Sequence, residues 1–505
     1  MTPRSRPSRI AILAVAAGVL AGCAHAGRLH CSARGGPPWH EYRSHHFVVD
    51  TDLQPFVASE LVARLETTHA LLVKAIFGEA REVPGRVRVL ALRDPALFRA
   101  VAGDDRIGGY FGRGQLGEPT IVLRAQGTAI DGEVVAHELA HRLSLIAIPR
   151  QPRWFSEGLA IYAQTVGVDD LRYRGSVGAA TNKIKDQLRT LREIPVEDLF
   201  EWKQLADHGG YHMWSWLLFH YLADRKPEAL RDLSRRLTAG EDPAVAWAAA
   251  LPEFDPARQG GVARLAKAVR EYRRSGSFAS RKVSAEATLG FTEAPLASAD
   301  VHMLLLAVRA GWTDDRANRA ILRSEIEEAL AEDPTHPVAL SMRAELCGTS
   351  PVEQLRTSVA ERPWDWRAWL LLAASLDGPA SRSERIAAFR TAVALNPDSA
   401  RAHSGLAWAL VSDGRSEEAL PYARRAMDLA PSDPNVLDAL AFVQSSLGRC
   451  TEALQLQRRV VAVVGEDEVQ QVLSRLHLYE EDCGDLAAVR ATRGAVPGGA
   501  PASRR

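Results

Sequence analysis

The sequence predicts an α+β domain built on a small mixed sheet, followed by an all-α solenoid of helical repeats. Three observations predict this. Strand-like and helix-like segments alternate between His46 and Leu123; an amphipathic helical pattern over Thr128 to Ile148 sets histidines opposite an apolar stripe; and Pro363, Pro397 and Pro431 recur at a spacing of 34. Alternating elements call for a sheet backed by helices. A fixed period of this length calls for stacked helical hairpins, none of which buries its apolar face alone.

At 505 residues the chain is too long for one hydrophobic core. Lys plus Arg and Asp plus Glu are 62 each, so no net field draws it to nucleic acid, and no nucleic-acid partner is expected. Arg4, Arg6 and Arg9 precede an apolar run from Ile10 to Leu20, closed by Leu20-Ala21-Gly22-Cys23. That run is too short to span a bilayer and predicts a signal peptide over 1–22. Its ending resembles the lipobox of bacterial lipoproteins, which implies cleavage before Cys23, acylation of that cysteine and a membrane anchor. Ala24 at the next position, where an aspartate would retain the protein at the inner membrane, implies an outer-membrane destination on the periplasmic side. Residues 23–38, ending Gly35-Gly36-Pro37-Pro38, are expected to be a flexible tether. Cys31, Cys347, Cys450 and Cys483 have no metal-type spacing; a bridge between Cys450 and Cys483 is one possibility, and the pairing stays open.

The first folded domain is expected over 39–275. His46 to Thr51 predicts a strand, and Pro55 to Phe77 an amphipathic helix stopped by Gly78. Val87 to Leu92 predicts a strand, Pro95 to Val101 a short helix, and Ile121 to Leu123 another strand after the glycine-rich Gly108 to Gly112. The segments Gly108 to Phe111 and Ile121 to Arg124 are candidates for a sheet edge beside a cleft.

Thr128 to Ile148 carries the first motif helix, with Thr128 and Asp131 at capping-box spacing and Pro149 beyond its end. At 100° per residue Val135, Leu139, Leu143 and Ile146 fall on one side and His137, Glu138 and His141 on the other. A second helix starts after Pro152, and so short a turn makes the two antiparallel neighbours. His141 and Glu157 then lie roughly 12 and 8 Å from the turn at 1.5 Å per residue, so Glu157 can join the histidines. Lys183 to Arg192, Tyr211 to Ala223, Pro227 to Leu237 and Val262 to Arg273 are predicted helices.

Residues 276–298 have linker composition and 299–485 carry the repeats. Leu406-Ala407, Gly414 and Ala419 recur as Leu440-Ala441, Gly448 and Ala453, where small residues let paired helices approach. The period resembles the tetratricopeptide repeat (TPR), which implies a protein partner. Residues 467 to 480 are expected to cap the stack and 486–505 to form a disordered tail.

His137-Glu138-Leu139-Ala140-His141 places two imidazoles one turn apart, where neutral nitrogens can hold one zinc per chain. Followed by Trp154-Phe155-Ser156-Glu157-Gly158-Leu159-Ala160, it resembles the gluzincin clan of metallopeptidases, in particular the peptidase MA-like families. The resemblance covers about 39–275 and implies a zincin-like catalytic domain. It further implies zinc on His137, His141 and Glu157, with Glu138 as the base that activates water. The implied activity is hydrolysis of peptide bonds, as an endopeptidase acting on protein or peptide in the cell envelope. Tyr211 is the candidate oxyanion donor, with His212 next. Ile161 stands where thermolysin-like enzymes carry an aspartate behind a zinc histidine, so the partner of those histidines is left open. The alternative is a TPR scaffold lipoprotein whose protease-like domain is inactive or holds zinc structurally.

Overall fold

The computed structural model describes residues 36–79, 82–103, 107–126, 129–166, 174–202, 208–309, 316–461, 469–470 and 472–481. The signal peptide, Cys23, Cys31, Thr128, Cys483 and the tail from 486 lie outside them.

The N-terminal part is organised on strands β1 (His40–Arg43), β2 (Phe47–Thr51), β3 (Val87–Leu92), β4 (Gly109–Arg113), β5 (Pro119–Gln126) and β6 (Ala129–Ile130). β2, β3 and β5 run parallel. Parallel neighbours need crossovers, and α1 (Pro55–Phe77) and α2 (Pro95–Ala102) lie in those connections. β4 pairs antiparallel with β5 and forms one edge of the sheet. One sheet face packs on α1 and α3 (Gly132–Ala147) through Val49, Val89, Ile121, Leu65, Leu72, Val135, Leu139 and Leu143. α3 starts later than the sequence suggests, because Asp131 is itself the N-cap and accepts a hydrogen bond from Glu133 N–H at 2.9 Å.

After Pro149 the chain turns into α4 (Arg153–Gln164), with Pro152 at its N-cap. β7 (Arg174–Val177) follows, then α5 (Asn182–Thr190), α6 (Val196–Phe200), α7 (His208–Arg225), α8 (Pro227–Thr238), α9 (Pro243–Ala250) and α10 (Gly261–Ser275). Trp154, Trp214, Trp216, Leu217, Trp247 and Val269 belong to the core of this helical subdomain.

The stretch 276–298, expected as a linker, instead contributes β8 (Arg281–Ser284) and β9 (Thr292–Pro295). β8 pairs with β7, and β9 extends the principal sheet beyond β1. The reason is an open strand edge: β1 has backbone groups to satisfy, and Tyr42 Oη adds a 3.0 Å hydrogen bond to Glu293. Next, α11 (Ser298–Ala307) is buried on two sides. Val301 and Leu305 pack with Trp39, Leu90 and Phe98 on the second face of the sheet, while Ala299, Met303 and Leu306 join the core of the repeats.

The helices α12 (Arg316–Glu332), α13 (Pro337–Cys347), α14 (Val352–Glu361), α15 (Trp366–Ser375), α16 (Arg382–Leu395), α17 (Ala400–Ser412), α18 (Ser416–Leu429), α19 (Pro434–Ser446) and α20 (Cys450–Val461) form a TPR-like stack sharing one core. Trp366, Ala400 and Pro434 open successive first helices, and Arg382, Ser416 and Cys450 the second helices, in each case 34 residues apart. Gly405 has no room for a side chain, since a Cβ would lie 2.4 Å from the Phe389 ring. Val472 and Tyr479, in the stretch expected as a cap, belong to this core. Trp364 is 71% exposed, whereas Trp366 and Trp369 pack against the core. Cys347 is a free, exposed thiol and Cys450 is disulfide-bonded. Among the described residues no helix is long and apolar enough to cross a membrane.

Candidate metal centre

α3 and α4 bring His137, His141 and Glu157 together, each offering a ligand atom within 4.8 Å of the others. The two Nε2 atoms are 3.1 Å apart, and Glu157 Oε2 lies 3.7 Å from that of His137 and 3.5 Å from that of His141. A tetrahedral zinc with bonds near 2.05 Å places its ligands about 3.3 Å from one another, so these spacings match the ion. The donor chemistry matches as well. His137 Nδ1 lies 3.1 Å from Gln164 Oε1, an atom that only accepts, so the proton sits on Nδ1 and Nε2 presents a bare lone pair. His141 Nδ1 meets Ser156 Oγ at 3.1 Å. Glu157 Oε2 is buried, with the Nε2 atoms of His137, His141 and His212 at 3.7, 3.5 and 3.3 Å, a carboxylate oxygen gathered with imidazole nitrogens around one point.

Gln164 and Ser156 are the histidine partners that sequence reasoning left open. The signal was present, since Gln164 follows Glu157 by seven residues, two turns along the same face of α4.

A second cluster shows what a metal set requires. His46, Glu66 and His69 also gather within 4.8 Å, but the two rings stack with centroids 4.0 Å apart and planes 31° apart. Nitrogen lone pairs lie in the ring plane, so nearly parallel stacked rings do not aim at a common point. His137 and His141, at 84°, do. His46 Nδ1 is instead paired with Glu66 at 2.6 Å.

Burial sets the electrostatics of the centre. It pushes His137 down to about 3, helped by the neighbouring His141. It pushes Glu138 up to about 7, joined by the charge of Glu157 and opposed by His141 and by a hydrogen bond from Phe111 N–H. Burial works against ionised Glu157, yet the imidazoles of His141 and His212 beside it hold its carboxyl far below the usual range. Through Phe111, Glu138 faces the open edge of β4.

α7 closes the far side. Gly158, directly after Glu157, permits it, because a Cβ there would stand 2.5 Å from Ser215 O and 2.8 Å from Phe219 Cβ. The residue that α7 delivers to the centre is His212, with Nε2 3.3 Å from Glu157 Oε2. The ring of Tyr211, the first candidate donor, lies 5.2 Å from that of Trp202, as does the ring of His212. What distinguishes His212 is its approach to Glu157.

Compared with known proteins, the chain matches no family model and no curated relative. It is similar in structure to a thermophilic TPR protein of Thermus thermophilus, at 21% identity and a TM-score of 0.27 over 32% of this chain and 91% of that one. It is also similar to PilF of Pseudomonas aeruginosa, at 18% identity and a TM-score of 0.28 over 40% of this chain and 93% of that one. Yeast Tom70 aligns at 11% identity and a TM-score of 0.29 over 69% of this chain and 82% of that one. No activity is carried across from them.

Proposed function

We propose that the chain is a zinc-dependent peptidase of the gluzincin type, an endopeptidase acting on protein or peptide in the bacterial cell envelope, anchored through Cys23. The observation that carries the reading is the convergence of the His137 and His141 Nε2 atoms and a buried Glu157 oxygen within 4.8 Å of one another, beside Glu138. Zinc held by His137, His141 and Glu157 would supply Lewis-acid activation of water and of the scissile carbonyl. Glu138 takes the proton of the attacking water and passes it to the leaving amine. An extended substrate adds along the free edge of β4, where Phe111 N–H already meets Glu138. His212 is better placed than Tyr211 to donate to the developing oxyanion. The repeats recruit the substrate or a protein partner.

Glu138→Gln should keep its zinc and lose peptide hydrolysis by roughly 100-fold or more, whereas His137→Ala should lose the zinc. Metal content and mass-spectrometric cleavage of a peptide library measure both, and undiminished cleavage by Glu138→Gln would sink the mechanism. The repeat stack favours a second reading, a scaffold lipoprotein whose N-terminal domain is catalytically silent. That reading expects zinc-loaded protein to cleave nothing while still capturing its partner.

A further inference from the structure

The repeats and the catalytic domain meet along a seam that holds a cavity lined by Arg43, Arg86, Arg88, Arg142, Glu118 and Asp398, among others. Three of its arginines have acidic partners. Arg86 pairs with Asp398 at 3.0 Å, Arg43 with Glu41 at 2.7 Å, and Arg88 with buried Asp50. Arg142 is different. It is 6% exposed, and among the described residues no carboxylate pairs with it. Its Nη2 donates to two carbonyls, Pro84 O at 3.3 Å and Leu429 O at 3.1 Å, while its Nε is buried without a hydrogen-bond partner among the described residues. A buried charge left uncompensated is costly, and proteins ordinarily pair it.

The rest of the cavity wall is charge-compensated, which leaves Arg142 as the source of its positive excess. Arg43, Arg86 and Arg88 are met by Glu41, Asp398 and Asp50, with Glu118 4.0 Å from Arg88. The N-terminus of α17 enters through Ser399 and Ala400, adding the positive end of a thirteen-residue helix.

We propose that this seam is a binding site for a small tetrahedral oxyanion of the phosphate or sulfate class. The anion neutralises Arg142 and ties the repeats to the domain that carries the metal centre. Arg142 directly follows His141 on α3, so the anion braces the motif helix from behind. The site is separate from the metal centre and does not depend on the peptidase reading.

The test is calorimetric titration and thermal unfolding of the full chain in inorganic phosphate, at ionic strength held constant with sodium chloride. Phosphate should bind saturably and raise the unfolding temperature, with sulfate acting alike. Binding should weaken about tenfold or more in Arg86→Gln and several-fold in Arg43→Gln, at the edge of the seam, and vanish in Arg142→Gln. It should persist in His137→Ala, which separates it from phosphate on the metal. No saturable effect, or one unchanged in Arg86→Gln and Arg43→Gln, overturns the proposal even where Arg142→Gln fails to fold. Equal binding of acetate overturns the tetrahedral class.

Discussion

Gln164 decides how His137 presents itself. Its carbonyl oxygen fixes the proton on Nδ1 and leaves Nε2 free. Outer partners of this kind hold ligand orientation and basicity. Gln164→Leu is therefore expected to weaken zinc binding roughly 10- to 100-fold with little change in fold, read by competition with a chromogenic chelator. Unaltered affinity would show that His137 needs no such partner. His69 makes a different prediction. Burial, with His46 beside it, pushes it down to about 3. It stays neutral in the folded chain while the unfolded chain takes up a proton below about 6.5. The unfolded state thus binds more protons, and this group's stabilisation, full above pH 6.5, is lost as pH falls toward 3, by at most about 1.4 kcal/mol per unit. Urea midpoints at pH 7 and 5 should show a smaller acid loss in His69→Gln than in the parent chain. The gathering of His137, His141 and Glu157 was legible in sequence because helical period and turn length constrain them. Tyr211 was preferred to His212 because no motif fixes the rotation of α7.

At the scale of elements, the centre depends on how closely α4 and α7 approach. Gly158 sets that distance, and even a methyl group would strike the Ser215 carbonyl. Gly158→Ala is expected to cost about 1–3 kcal/mol through overpacking and to move His212 away from Glu157. A fall in the urea midpoint accompanied by reduced turnover on any cleaved peptide is the expected result. Full stability and turnover would mean that α7 tolerates the shift. The glycine was visible as part of Glu157-Gly158, but its reason was not, since the contact joins residues 57 apart in the chain. The boundaries of α1 and β3 were readable residue by residue, because Gly78 stops the helix and an apolar run defines the strand. The start of α3 was not, since Thr128 and Asp131 each have the chemistry of a cap.

On the scale of the whole molecule, α11 makes the two halves interdependent. It seals the sheet face formed by Trp39, Leu90 and Phe98 and also joins the repeat core. Arg113, at the end of β4, pairs with Asp433 in the repeats, so the contact extends to the strand beside Glu138. A chain ending at residue 297 is expected to expose that apolar face and associate or unfold. Size-exclusion chromatography and dye binding measure this. A stable monomer with an intact metal centre would show that the halves are independent. The sequence by itself determined the 34-residue repeat, the helix that presents His137 and His141, and the reach of Glu157. All three follow from periodicities within short stretches of chain. Only the tertiary structure decided that His212 enters the centre, that residues 281–284 and 292–295 are strands, and that Arg142 lies in the seam. Each of these depends on contacts between distant segments, where the partner surface, rather than local pattern, selects the conformation.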